Sequence, residues 1–274
     1  MHESAWQEAA RGGRGVDGTR LRPGRTDFAQ TVCQRLPEGV IWSHQIAGWA
    51  MVASQRVRSQ DAPPDGGAAP AFRATSWLIL GGLLRHIPDH SLLARTADMA
   101  MAADTSADGP LGAAWAELGD AARAIEPEPL DDEFHDLFIG VGRGEIVPYA
   151  SWYRTGFLMD RPLIALRRDL ALLGFERNES VAEPEDHVAA IAETMGLLAD
   201  PVDGQDDSTQ RLFFSEHIDS WMPDLFADLQ SASKADFYRL VGRVGSAFVE
   251  FERGWLGAEM PRAAARTTTG VTKP

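Results

Sequence analysis

From Ala71 to about residue 256, large apolar residues return every three or four positions, and proline or glycine cuts the runs. That spacing fits one face of an α-helix, where residues three and four apart share a side. Trp77, Leu78, Leu80, Leu83 and Leu84 crowd one side of a helix that Pro88 ends. Ser91 to Ala103 and Leu111 to Ile125 read as two more, the second holding Trp115, Leu118 and Ala122 in step. Asp131 to Val141 reads as a fourth, its leading acids suited to a helix N-terminus. Arg161 to Leu173 follows, with Gly174 as its stop. Pro184 to Leu198 carries Val188, Ile191, Ala192, Met195 and Leu198, with Pro184 in a first turn that tolerates it. Two long helices, about 209–230 and 235–256, complete the series. No alternating β-branched run supplies a sheet. The spacing predicts an all-α bundle of about eight or more helices over residues 71–258.

The first seventy residues differ. They hold eight arginines against seven acidic residues, so the −14 of the whole chain leaves −15 on the rest. Arg11 to Arg25 is rich in glycine and arginine without periodicity, and Asp61 to Pro70 reads as a linker. A short helix over 34–55 is the most this stretch offers, and Met51 is an alternative start. Residues 1–70 are expected to be a largely disordered extension, and 259–274 a disordered tail. The acidic balance disfavours a general binder of nucleic acid or anionic membrane, both of which demand a basic face. A lone Cys33 excludes an internal disulfide and a cysteine-based metal cluster. No stretch approaches the ~18 apolar residues of a membrane span. Gly39 to Ala53 is broken by Ser43, His44 and Gln45 and lies too far from the start for a secretory signal, so the expected address is the cytoplasm.

Chemistry-bearing motifs are few. His86 and His90 have helical zinc-pair spacing, but Pro88 between them breaks the shared face. His135, His187 and His217 each adjoin an acid, with no third partner at ligand spacing. Gly140-Val-Gly142-Arg-Gly144 follows a helix instead of a strand and reads as a helix stop, not a phosphate loop. Ser151 lacks the flanking glycines of a nucleophile elbow. What stands out is aromatic residues among carboxylates: Phe134, Phe138, Trp152 and Tyr153 with Asp131, Asp132, Asp136 and Glu145, then Glu183-Pro-Glu-Asp-His187. Carboxylates pair with guanidinium groups and aromatic faces stack on them, so this mixture suits a peptide carrying both arginine and apolar residues.

Three segments occur in a telling order: Phe134-His-Asp-Leu-Phe-Ile-Gly140, Val147-Pro-Tyr-Ala-Ser-Trp-Tyr153 and Glu183-Pro-Glu-Asp-His187. With Pro162-Leu-Ile-Ala-Leu and the late Trp221-Met-Pro223, the chain over about 75–256 resembles the TorD/DmsD family of cytoplasmic chaperones for molybdoenzymes. The resemblance implies a TorD-like helical chaperone with no catalytic residue, metal or cofactor of its own. Its partners would be the twin-arginine signal peptide and the apo form of a molybdenum-cofactor oxidoreductase, of the formate dehydrogenase or dimethyl sulfoxide/trimethylamine oxide reductase type. The protein would assist cofactor insertion and delay export. Carried over by motif, the peptide-binding residues are Phe138, Tyr149, Ser151, Trp152, Glu183, Asp186 and His187. Glu183 and Asp186 would meet arginines, His187 would bond the peptide or fix the loop, and Trp152 and Phe138 would line an apolar groove. Ala150 stands where relatives commonly have an acid. The resemblance also carries weak guanine nucleotide binding and a domain-swapped dimer, both left open by the sequence. An alternative reading is an all-α metal-dependent hydrolase using the Glu183–His187 cluster with His135 or His217, and another is a helical scaffold for some other basic protein.

Overall fold

Why the chain turns so often follows from its punctuation. In a computed structural model, residues 68–106, 109–140, 144–175 and 181–257 are described. The expectations for the N-terminal extension, the 34–55 helix, Cys33, Gly142 and the C-terminal tail lie outside these residues. Helix α1 (Ala68–Arg85) buries Phe72, Trp77, Leu80, Leu83 and Leu84 and ends before Pro88. The Asp89 carboxylate then accepts the Leu92 N–H at 2.8 Å and opens α2 (His90–Ser106). Helix α3 (Pro110–Ala124) begins with proline, which lacks the N–H that a first turn cannot use. Helix α4 (Pro127–Phe134) widens into a π-turn over His135–Ile139 that Gly140 closes at φ 58°. The rest are α5 (Ala150–Thr155), α6 (Arg161–Leu172), α7 (Val188–Leu198), α8 (Asp207–His217), α9 (Met222–Ser231) and α10 (Phe237–Leu256). The described residues form no strand, as expected, and their single β-type pairing is an isolated bridge between Tyr149 and His187.

The helices pack as α2 on α3, α1 on α7 and α9 on α10, with α10 also against α3 and α1. Helix α7 is buried nearly all round, through Val188, Ile191, Met195 and Leu198 and three alanines between them. Helix α10 is amphipathic, burying Val241, Val244, Phe248 and Val249. Gly245 lets α9 come close, since a Cβ there would lie 2.3 Å from the Phe226 ring. Trp77 packs edge-on against Phe248 at 4.9 Å, joining α1 to α10. No helix among the described residues is long and apolar enough to cross a membrane.

Two buried polar ties hold this arrangement. Arg73 donates from Nε to Glu252 at 2.6 Å and from Nη2 to Gln210 at 2.9 Å, and Trp77 Nε1 donates to the same carboxylate at 3.0 Å. At the start of α10, the Glu133 carboxylate accepts the N–H groups of Asp236, Phe237 and Tyr238 at 2.8, 3.1 and 2.7 Å. Those are first-turn donors with no partner inside the helix. Glu133→Ala therefore costs about 1–3 kcal/mol in a urea titration, and Glu133→Gln, which keeps an acceptor, costs less.

Three sequence expectations need correction. Pro184 is outside the helix it was assigned to: α7 starts at Val188 because the His187 ring takes the cap position. The stretch 209–230 is two helices, because the chain turns at 218–221 and Pro223 sits in the first turn of α9. The fourth helix begins earlier, at Pro127, and its last part is the π-turn.

Candidate functional site

The segments around Tyr149 and His187 meet at one place. The Val188 N–H donates to Pro148 O at 2.8 Å and the Ala150 N–H to Asp186 O at 2.9 Å, so the two loops run side by side into the starts of α5 and α7. The Asp186 carboxylate accepts the Ser151 N–H at 2.9 Å, which caps α5 from across the loop. The Tyr149 hydroxyl reaches Glu183 at 3.4 Å, and its ring stands edge-on to His187 at 5.0 Å. Six of the seven sequence-predicted residues lie in these two segments. Phe138 is placed elsewhere, with its ring against Phe134 at 4.9 Å and Tyr238 at 5.2 Å.

Accessibility divides the six. Ser151, Asp186 and His187 are buried, whereas Tyr149, Trp152 and Glu183 are half-buried. The carboxylates are also engaged by the chain itself. Arg85 forks onto Glu193 at 2.9 and 2.7 Å and touches Glu183 at 3.3 Å. Arg167 pairs with buried Glu185 at 2.7 Å. Spacing in sequence could not reveal these partners, which stand 98 and 18 residues from the acids they meet. One oxygen is left over: Asp186 Oδ1 is buried without a hydrogen-bond partner.

The electrostatics follow from burial. The His187 imidazole is lowered to about 3, first by burial and then by the nearby Arg85 charge. It is therefore neutral, and because Nδ1 accepts the Ala189 N–H at 3.2 Å, its proton sits on Nε2, 3.7 Å from Glu183. Burial raises the Glu183 carboxyl, with Arg85 pulling the other way. Burial and then the Glu183 charge push the Tyr149 phenol up to about 12, so it donates its proton at any ordinary pH. Burial alone would lower Arg85, but Glu193 and Glu183 hold it above its usual value.

Beside this cluster lies a feature that sequence reasoning missed. The Ser151 hydroxyl accepts the Met159 N–H at 3.2 Å, tying the α5–α6 loop to the same residue that Asp186 holds. That loop presents Phe157, Leu158 and Met159 to solvent at 71, 49 and 69% exposure. The apolar triplet was visible in the sequence, but its exposure was not.

The other histidines are engaged locally. His217 Nε2 meets buried Asp169 at 2.9 Å, and His135 Nδ1 meets the Asp131 carbonyl. Among the described residues no three His, Cys, Asp or Glu side chains converge as a metal would require.

Known proteins resemble this chain over part of its length. The family model described as nitrate reductase delta subunit matches residues 104–227. The chaperone protein TorD of Vibrio atlanticus is 25% identical over 47% of this chain and 65% of its own length. Those of Vibrio cholerae and Aliivibrio fischeri are 27 and 26% identical, over 45 and 47% of this chain and 60 and 65% of theirs. The chain thus spans less than two thirds of these curated relatives. A crystal structure of a candidate redox enzyme maturation protein from Archaeoglobus fulgidus superposes with a TM-score of 0.47 and 16% identity, over 70% of this chain and 99% of that one. Residues 104–227 are thus similar to the nitrate reductase delta subunit family, and the chain is similar to TorD chaperones over slightly less than half of its length.

Proposed function

We propose that the protein is a maturation chaperone for a molybdenum-cofactor oxidoreductase, binding the twin-arginine leader and the apo form of its client before export. The observation that carries this reading is the junction of two motif segments, with Tyr149, Trp152 and Glu183 half-exposed over a buried frame of Ser151, Asp186 and His187. The half-exposed residues offer an aromatic face and a carboxylate to a guanidinium. The buried ones fix the backbone that presents them. Leader arginines would compete with Arg85 for Glu183, the longer and more exposed of the two Arg85 contacts. The chemistry asked of the site is recognition, with no bond made or broken. The hydrolase alternative would need the Glu183–His187 cluster as ligands, yet the His187 Nδ1 is committed to the Ala189 N–H.

The test is a calorimetric titration with a synthetic twin-arginine leader peptide, two adjacent arginines followed by an apolar run, against the same peptide with both arginines changed to glutamine. Micromolar or tighter binding that the control loses is expected. Failure of the folded protein to bind the leader would overturn the proposal.

A further inference from the structure

The Phe157–Met159 loop is built to be presented. Gly156 turns the chain at φ 80°, and Met159 stands at φ 56°, the one non-glycine residue with positive φ among the described residues. A side chain is rarely found in that left-handed region. The loop holds it there through the Met159 N–H on the Ser151 hydroxyl, while the Thr155 hydroxyl accepts the Phe157 N–H at 3.3 Å. Ile164, one turn into α6, adds a fourth large apolar side chain at 68% exposure. Large exposed apolar side chains grouped within eight residues mark a place where something binds.

Charge selects the occupant. Of the four exposed arginines from Arg154 to Arg168, Arg167 and Arg168 are paired with Glu185 and Asp169, which leaves Arg154 and Arg161 at the two ends of the loop in a protein of net −14. The apolar loop is thus bracketed by two arginines, while Ser151 links it to Asp186 of the carboxylate cluster. A peptide with arginines at one end and an apolar run behind them fits in a single direction. Its guanidinium groups are repelled by Arg154 and Arg161 and drawn to Glu183, leaving the apolar run over Phe157, Leu158 and Met159. An anionic bilayer would also meet arginines and apolar side chains here, but the −14 of the whole chain opposes its approach.

Resting on the leader-binding reading above, we infer that Phe157, Leu158, Met159 and Ile164 form the subsite for the apolar stretch of the leader, separate from the carboxylates that take its arginines. Phe138, half-buried against Phe134 and Tyr238, lies outside this subsite.

The triple variant Phe157→Ser, Leu158→Ser, Met159→Asn tests this. Asparagine tolerates the left-handed backbone at 159, and all three side chains are exposed, so helicity and melting temperature should hold. The full chain is titrated with the leader peptide and, separately, sedimented with vesicles of equal parts phosphatidylglycerol and phosphatidylcholine. The expected result is leader binding at least about tenfold weaker than wild type, the scale set by losing partial burial of three large apolar side chains. Unchanged leader affinity in the variant, with wild type binding normally, overturns the subsite and leaves the proposed function standing. If in addition wild type sediments with the vesicles and the variant does not, the loop is a lipid contact and the inference is wrong. Absence of leader binding by wild type overturns both readings together.

Discussion

Glu252→Ala is expected to lower stability by about 3–5 kcal/mol, because it leaves the Arg73 guanidinium buried with the Gln210 amide oxygen as its remaining hydrogen-bond acceptor and strips Trp77 Nε1 of its acceptor. Both members of the pair are essentially inaccessible, at 2% and 0% exposure, so water cannot replace the missing carboxylate. At roughly 2–4 °C per kcal/mol for a domain of this size, the melting temperature should fall by about 6–20 °C. The double variant Arg73→Met, Glu252→Leu removes the stranded charge and should recover most of that loss. A drop below about 1 kcal/mol in the single variant would mean that solvent reaches the pair.

The second large effect is acid sensitivity through His187. Its folded value is about 3 against an ordinary 6.5. As pH falls through 6.5 the unfolded chain takes up a proton that the folded chain refuses until pH nears 3. Stability is therefore full above 6.5 and declines across that window, at up to about 1.4 kcal/mol per pH unit. Between pH 7 and 4.5 this amounts to about 2–3 kcal/mol. Glu183 and Glu193, both raised by burial, titrate nearby with the opposite sign, so the difference between wild type and His187→Asn isolates the imidazole. Asparagine keeps an oxygen for the Ala189 N–H but has no titrating group. Urea titrations across this range should show a shallower slope in the variant. Equal slopes would show that the imidazole is solvated in the folded state.

How much of this was legible beforehand depends on the length and range of each signal. The long helices α1, α2, α3, α6 and α10 announced themselves by apolar period, and α1 and α6 also by the proline or glycine at their ends, Pro88 and Gly174. Helix α5 did not, since six residues hold fewer than two turns and show no period. The break between α8 and α9 was hidden because apolar spacing runs on through Ile218 and Trp221, and a proline at 223 is as compatible with a first turn as with a bend. At the candidate site, the motifs named segments that the fold brings together, but the partners of their side chains were not legible. Asp186 was read as an arginine acceptor, and its cap on the Ser151 N–H was not foreseen. Glu185 is paired with Arg167, 18 residues away. Such assignments depend on partners brought in by tertiary packing, which no local pattern encodes.

The Arg73–Glu252 pair spans 179 positions, joining the first described helix to the last. On the ribosome, α1 emerges long before α10 exists, and until then Trp77, Phe72 and the guanidinium lack the neighbours that cover them. Contacts of such sequence separation close late and slowly. The domain thus completes its core when synthesis reaches the final helix, and a chain released short of residue 252 would carry an open seam along α1, with apolar surface available for misassociation.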